Sequence, residues 1–375
     1  MNIAIVGCGF VADYYLSTLP NYPHLTLLGV MDRLPERSQH FSDYHKVPKY
    51  DSLSALLGDP AVDIVLNLTN PSSHFEVSKA ALEAGKHVYT EKPLSTDFAE
   101  ACELVSLAEN SGLQIVSAPC NVLSETAQTL WKALREQVIG KVRLVYAEMD
   151  DGMVHQMAYQ KWISQSGIPW PYKDEFEVGC TLEHAGYYVS WLVAFFGPAK
   201  SVSAFSSCLI QDKQTDMPLD VDAPDFSVAC IQFESGVVAR LTCGIVAPHD
   251  HQLRIIGDEG LLYTKDCWYY RSPVYSRRRL TIRRKTFISP LKKKYSLVSP
   301  GRTQLGSRGS QEMDFCRGVV ELADAVTAQR PCCLSSRFSL HVNEIVLAIQ
   351  NASTDNQTYH MTTQFDPIQP MPWAA

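Results

Sequence analysis

At 375 residues, 46% hydrophobic and 19% charged, the chain is long enough for two domains with substantial cores and is composed like an ordinary soluble enzyme. A formal charge of −7 argues against general nucleic-acid affinity, and the longest apolar run, near Val189 to Phe196, is too short to span a bilayer. No signal peptide is apparent at the start, and eleven scattered cysteines without a CxxC pair suggest reduced thiols, so a cytoplasmic protein is expected.

The chain opens with an apolar strand, Ile3 to Val6, that runs into Gly7-Cys8-Gly9-Phe10-Val11-Ala12 and then a helical pattern. In this GxGxxA arrangement Gly7 permits a tight turn, Gly9 lets a pyrophosphate approach the backbone, and Ala12 allows close helix–strand packing. A second strand, "LTLLGVMD", ends in Asp32, about twenty residues on, where a carboxylate would accept ribose hydroxyls. Asp32 would repel a 2′-phosphate, so NAD is favoured; Arg33 and Arg37 follow it and keep NADP open. Helix and strand then alternate through "SLSALLGD", "VDIVLNLT", "HFEVSKAALEAG", "KHVYTEKP", "DFAEACELVSLAENSG" and "LQIVSAP". That alternation indicates a parallel, doubly wound sheet, which binds ligands beyond the carboxyl ends of its strands. Those ends carry Thr69-Asn70-Pro71, with His74 close behind, then Glu91-Lys92-Pro93 and Cys120-Asn121.

Three segments give the chain its resemblance to the Gfo/Idh/MocA oxidoreductases: "GCGFVA" from Gly7, "NPSSHFEVSKAALEAGKHVYTEKPLS" from Asn70 to Ser95, and a glycine-bearing helix in the second half. "FCRGVVELADAV" and "SLHVNEIVLAIQNAS" also resemble the last helices of that family, so the likeness spans nearly the whole chain. The resemblance implies an α/β protein: a Rossmann dinucleotide-binding domain over 1–122, then a C-terminal α/β domain over 123–375 with a large, mostly antiparallel sheet. It further implies hydride transfer between a nicotinamide ring and a hydroxyl-bearing carbon of a sugar, cyclitol, sugar acid or nucleotide sugar, often in a homo-oligomer. The cofactor contacts it implies are Gly7 to Ala12, Asp32, Arg33, Thr69, Asn70, Pro71, His74, Glu91, Lys92 and Asn121. Lys92 would sit between nicotinamide and substrate, where a cation stabilises alkoxide-like charge.

The chain departs from the family in the helix "GCTLEHAGYYVSWL". Aligned on Gly186, His184 stands where the family usually has aspartate, and Tyr188 where it has the acid/base histidine. Leu182, Ala185, Val189, Leu192 and Phe196 make an apolar stripe, with His184, Tyr188 and Trp191 roughly 160–200° around the helix from it. His184 and Tyr188 are thus the expected proton carriers beside Lys92, with His184 preferred because its unperturbed pKa suits neutral pH. The segment before this helix supplies Trp170, Lys173 and Glu177 as substrate candidates, since aromatic faces with interleaved charges suit a sugar ring.

In the second half a strand is expected over 142–150, and strand-like runs separated by "FESGV" and "GDEGL" favour antiparallel hairpins. The stretch from Tyr275 to Tyr295 carries nine Arg or Lys residues and no acid; a solvated mobile insertion is the plain expectation, and an anion site the next. His249 and His251 lack an accompanying ligand cluster in the sequence, so no metal is expected. Two alternatives to a dehydrogenase stay open: an NAD-dependent, redox-neutral glycosidase and a non-catalytic dinucleotide sensor.

Overall fold

The computed structural model describes residues 1–301, 303–308, 311–352 and 357–375. Its first lobe alternates β1 (Asn2–Val6), α1 (Ala12–Thr18), β2 (Thr26–Met31), α2 (Pro35–His45), α3 (Leu53–Leu57), β3 (Ile64–Asn67), α4 (His74–Glu83), β4 (His87–Thr90), α5 (Phe98–Asn110) and β5 (Ile115–Ser117). These five strands pair in parallel, in the order β2-β1-β3-β4-β5. Helices on both faces of such a sheet leave the central strands buried all round, which is why β3 reads as a continuous run. Asn67 is buried within it, and its amide donates to the His74 carbonyl and the Ser78 hydroxyl, both at 2.9 Å, so no polar group is stranded there. The chain leaves β1 towards β2 on one side and β3 on the other, which opens a crevice at the carboxyl ends of β1 and β3.

The second lobe contains α6 (Glu125–Arg135), β6 (Val142–Asp150), α7 (Tyr172–Val178), α8 (Gly186–Phe196), β7 (Ala199–Ser207), β8 (Phe226–Phe233), β9 (Val238–Gly244), β10 (Leu253–Gly257), β11 (Gly260–Thr264), β12 (Tyr275–Ile282), β13 (Lys285–Ile288) and β14 (Lys293–Lys294). A small β15 (Gly306–Arg308) and β16 (Gln311–Met313) pair follows, then α9 (Arg317–Thr327), α10 (Ser336–Gln350) and β17 (Tyr359–His360). Ten strands form one sheet, β13-β12-β11-β10-β6-β9-β8-β7-β17, with β14 added on β12. Only β6 and β9 pair in parallel in this sheet, among the described residues. Along β6, Val145, Ala147 and Met149 are buried and the residues between them are not, the period-two signature of a sheet covered on one face. Helices α6 and α10 and the turn before α8 cover that face. On the other, the guanidinium groups of Arg240 and Arg254 lie 4.6 and 5.3 Å over the Tyr146 ring.

The basic stretch is not an irregular insertion: β12 and β13 form an antiparallel hairpin at the end of the sheet, with Arg279 opposite Ile288 and Ile282 opposite Lys285. The last helices return to the first lobe. Helix α10 packs on α5, and two of its serines answer the outward amides of the edge strand β5: Ile115 N–H donates to Ser336 Oγ (3.2 Å) and Ser117 N–H to Ser339 Oγ (3.1 Å). Ser353, the last residue of the second C-terminal motif, lies outside the described residues. None of the described helices is long and apolar enough to cross a membrane, and all eleven cysteines are free thiols.

Candidate active site

The cleft begins at the glycine turn. Gly7 has φ +99°, and a Cβ there would lie 2.5 Å from the Leu68 carbonyl oxygen, so β1 and β3 can meet only over a glycine. Gly9 is different: a Cβ built on it meets nothing within 4 Å. Gly9, Phe10 and Val11 line the cleft together with Thr69, Asn70, Pro71 and His74 from the end of β3. Behind the turn, Cys8 N–H donates to Asp32 Oδ2 (2.9 Å), while Asp32 Oδ1 accepts from Leu34 N–H (3.0 Å). These bonds fix a carboxylate at the end of β2. An open cradle over Gly9 with a carboxylate beyond it fits a dinucleotide. His74 is fully buried between two carbonyls, Pro93 O at 2.7 Å and Thr69 O at 2.9 Å, so it ties the end of β3 to the Lys92-Pro93 segment; burial pushes its pKa down.

Lys92 lies at the floor of the cleft and is ion-paired with Glu183. Burial works against its charge, but Glu183, followed by Glu175, Tyr187 and Glu91, more than offsets this and holds the ammonium above the ordinary lysine value. Glu175 is the complement. Burial first, then the neighbouring Glu183 carboxyl, push it well above the usual carboxyl range. Glu91 anchors the β4 end, accepting from the Tyr15 hydroxyl (2.6 Å) and from Lys92 N–H (3.1 Å).

Glu183 and His184 sit in a π-helical turn, Thr181–Ala185, just before α8. Single π turns inside helices recur at functional sites, and this one lets two consecutive side chains reach the cleft. His184 Nε2 is 3.8 Å from Asp151 Oδ2, and its ring meets Trp268 edge-on at 5.7 Å. Burial first, then Lys92 and His251, hold its pKa well below the ordinary value, so His184 does not keep the unperturbed pKa for which the sequence favoured it. Trp162, Trp170, Pro171 and Asp174 form the facing wall. That wall is fastened to the first lobe: Ser166 donates to Asp13 Oδ2 through its amide (2.9 Å) and hydroxyl (2.8 Å), and Asn70 Nδ2 donates to Asp174 at 2.5 Å.

Residues 1–118 match the oxidoreductase family with the NAD-binding Rossmann fold, and residues 127–263 match the GFO/IDH/MocA C-terminal domain. The chain belongs to the Gfo/Idh/MocA family. It is 26% identical over 268 residues to trans-1,2-dihydrobenzene-1,2-diol dehydrogenase of Mus musculus, covering 70% of this chain and 74% of that protein. Its fold matches that of the aldose-aldose oxidoreductase of Caulobacter crescentus, crystallised with glycerol, with a TM-score of 0.75 at 17% identity over 96% of this chain and 99% of that one. It also matches the WlbA dehydrogenase of Bordetella pertussis, crystallised with NADH and UDP-GlcNAcA, with a TM-score of 0.74 at 16% identity over 97% and 99%.

This Gfo/Idh/MocA chain is therefore an NAD(P)-dependent oxidoreductase. Of the residues expected around the cofactor, Gly9, Phe10, Val11, Thr69, Asn70, Pro71, His74, Glu91 and Lys92 line the cleft, while Gly7, Cys8 and Ala12 back it from beneath and Asp32 and exposed Arg33 follow at the end of β2. Asn121 does not reach the cleft. It is fully buried, donating to the Tyr187 carbonyl (3.1 Å) and accepting from the Ser190 hydroxyl (3.2 Å), and so braces α8. Trp170 and His184 line the cleft, but Lys173 and Glu177 do not. They pair with each other across one turn of α7 (2.7 Å), and Lys173 also reaches Asp220 (2.9 Å); the neighbouring Asp174 and Glu175 take the cleft side.

Tyr188 also lies outside the cleft. It is fully buried, and its hydroxyl donates to the His251 carbonyl. One turn of helix, about 5.4 Å, carries it past the His184 position and under the sheet. The row that faces Lys92 is instead Glu183 and Tyr187, four residues apart. The expectation that His249 and His251 lack companions also fails, because Asp151, the residue after β6, joins them. Sequence reasoning assigned no role to Glu183, Glu175, Asp151, Tyr187 or Trp268. A glutamate inside an apolar helical segment was the available signal for Glu183; nothing local marks Glu175, within the charged helix YKDEFEV, nor Asp151 or Trp268.

Proposed function

We propose that the protein transfers a hydride between a nicotinamide cofactor, NAD rather than NADP, and a hydroxyl-bearing carbon of a sugar-like polyol, sugar acid or nucleotide sugar. The observation that carries this reading is Lys92, an ammonium held by Glu183 at the carboxyl end of β4, in a cleft that opens from the glycine turn to His184. The bound nicotinamide supplies or accepts the hydride. Lys92 donates a hydrogen bond to the reacting oxygen and stabilises the negative charge that develops on it. His184 takes the hydroxyl proton in oxidation and returns it in reduction, and Glu183 keeps the Lys92 side chain aimed. Trp162 and Trp170 offer aromatic faces on the opposite wall, which suits the C–H face of a sugar ring. A solved relative of the same fold bound to NADH and a nucleotide sugar supports the substrate class.

The test is a panel of polyols, aldoses, sugar acids and nucleotide sugars, offered with NAD⁺ and NADP⁺ and followed by the absorbance of reduced nicotinamide. Turnover with one of these classes, lost in Lys92→Met, is the expected result. Full turnover in Lys92→Met overturns the assignment. Cofactor retained through purification with substrate conversion but no net reduction would transfer the reading to redox-neutral glycoside cleavage.

A further inference from the structure

We propose that Asp151, His249 and His251 form a site for one divalent transition-metal ion of the zinc class, a property independent of the dinucleotide reading. The site is built by sheet register. Strands β6 and β10 pair antiparallel with Ala147 opposite Leu253, and the pairing continues through a bridge in which Asp150 and Asp250 exchange amide–carbonyl bonds at 3.0 and 2.9 Å. The next pair outward is Asp151 opposite His249. Side chains alternate along a strand, so Asp151, His249 and His251 all project to the helix-covered face, that of buried Met149 and Leu253.

On that face the ligand atoms of the three residues lie within 4.8 Å of one another. His249 Nδ1 and His251 Nε2 are each 3.9 Å from Asp151 Oδ1. A tetrahedron with bonds of 2.0–2.1 Å has edges of about 3.3 Å, so both imidazole nitrogens must draw about 0.6 Å nearer the Asp151 carboxylate to close the set. His251 is the second observation. It is 1% exposed, and neither ring nitrogen makes a hydrogen bond. A buried imidazole nitrogen left without a partner is destabilising, and here there are two. An ion between the three residues satisfies Nε2. Nδ1 then faces Asp266 Oδ1 at 3.6 Å, the carboxylate–histidine–metal arrangement that orients many metal-bound imidazoles. Two imidazole nitrogens and one carboxylate select a borderline ion such as Zn²⁺ over Mg²⁺ or Ca²⁺, which prefer oxygen throughout. Three protein ligands leave a coordination position for water or a ligand oxygen, and Asp151 borders the cleft.

The experiment uses the full chain, stripped with a chelator and titrated with Co²⁺ and then Zn²⁺. The expected result is one equivalent of Co²⁺ giving visible d–d bands without a thiolate charge-transfer band, displaced by Zn²⁺. In His249→Ala, a change at a part-exposed residue, affinity should fall at least about tenfold while circular dichroism and dinucleotide binding stay as in the wild type; His251→Gln should act alike if it folds. Absence of stoichiometric binding overturns the proposal, as does binding that His249→Ala leaves intact. A thiolate-to-cobalt band abolished by Cys267→Ser also overturns it, because His251, Asp266 and Cys267 form a second close set.

Discussion

Replacing Lys92 by methionine keeps most of the side-chain volume and removes the charge. In the protein this strips Glu183, whose side chain is 4% exposed, of its counter-ion and leaves it beside Glu175. Removing one partner of a buried pair costs about 3–5 kcal/mol. Lys92 is itself 18% exposed, and the orphaned carboxyl can take up a proton, so the lower end, about 3 kcal/mol, is expected in chemical denaturation. Turnover should fall by about 10²–10⁴, the usual worth of a positioned proton-handling group, or about 3–5 kcal/mol in barrier. Dinucleotide affinity, read by titration calorimetry, should change by less than about threefold. The decisive comparison is the double variant Lys92→Met/Glu183→Gln. With both charges gone it should recover most of the stability, because a buried pair replaced as a pair costs little. Its turnover should stay low. Wild-type turnover in either variant would refute the role given to the ammonium.

The glycine turn separates folding from binding. Gly7→Ala should destabilise by about 2–4 kcal/mol through its positive φ and the clash with Leu68, whereas Gly9→Ala should leave the denaturation midpoint in place and weaken NAD binding at least about tenfold; unchanged NAD affinity in Gly9→Ala would count against the cradle. Tyr188→Phe should cost about 1–2 kcal/mol of stability, by leaving the His251 carbonyl unpaired, with KM unaltered. A selective loss of turnover there would restore Tyr188 to the chemistry. His341 is buried, accepts from Ala199 N–H through Nε2 (2.9 Å), and is pushed down to about 4 by burial, with Glu344 opposing. Its folded pKa lies below the unfolded value, so its contribution is complete above about pH 6.5 and is lost as pH falls towards 4. His341→Gln should therefore flatten the stability profile between those limits by on the order of 3 kcal/mol, and an unchanged slope would exclude His341 as its source.

The first lobe was legible because its chemistry is local. The glycine turn, the carboxylate at the end of β2 and the Glu91-Lys92-Pro93 block each lie within a few residues of a strand end, where a doubly wound sheet must present its ligands. The second lobe yielded its strands but only part of its site. Helix α8 is almost wholly buried, so an apolar stripe could not say which remaining face meets the cleft. Spacing alone placed His184 and Tyr188 on one face, whereas His184 lines the cleft and Tyr188 is buried against the His251 carbonyl. The π turn makes Glu183 a cleft residue beside His184. Asp151 reaches His249 only through the β6–β10 register, a long-range fact that no local pattern encodes.

Strand β5 ends its sheet, and the groups that close its open side come from far along the chain. Ser117 waits for Ser339, 222 residues later. At synthesis rates of 5–20 residues per second that interval is on the order of 10–45 s. During it the nascent first lobe shows a bare parallel edge, the kind of surface that recruits stray strands. Its safe maturation thus depends on shielding until α10 arrives, and residues 1–122 made alone should be prone to self-association that the whole chain avoids.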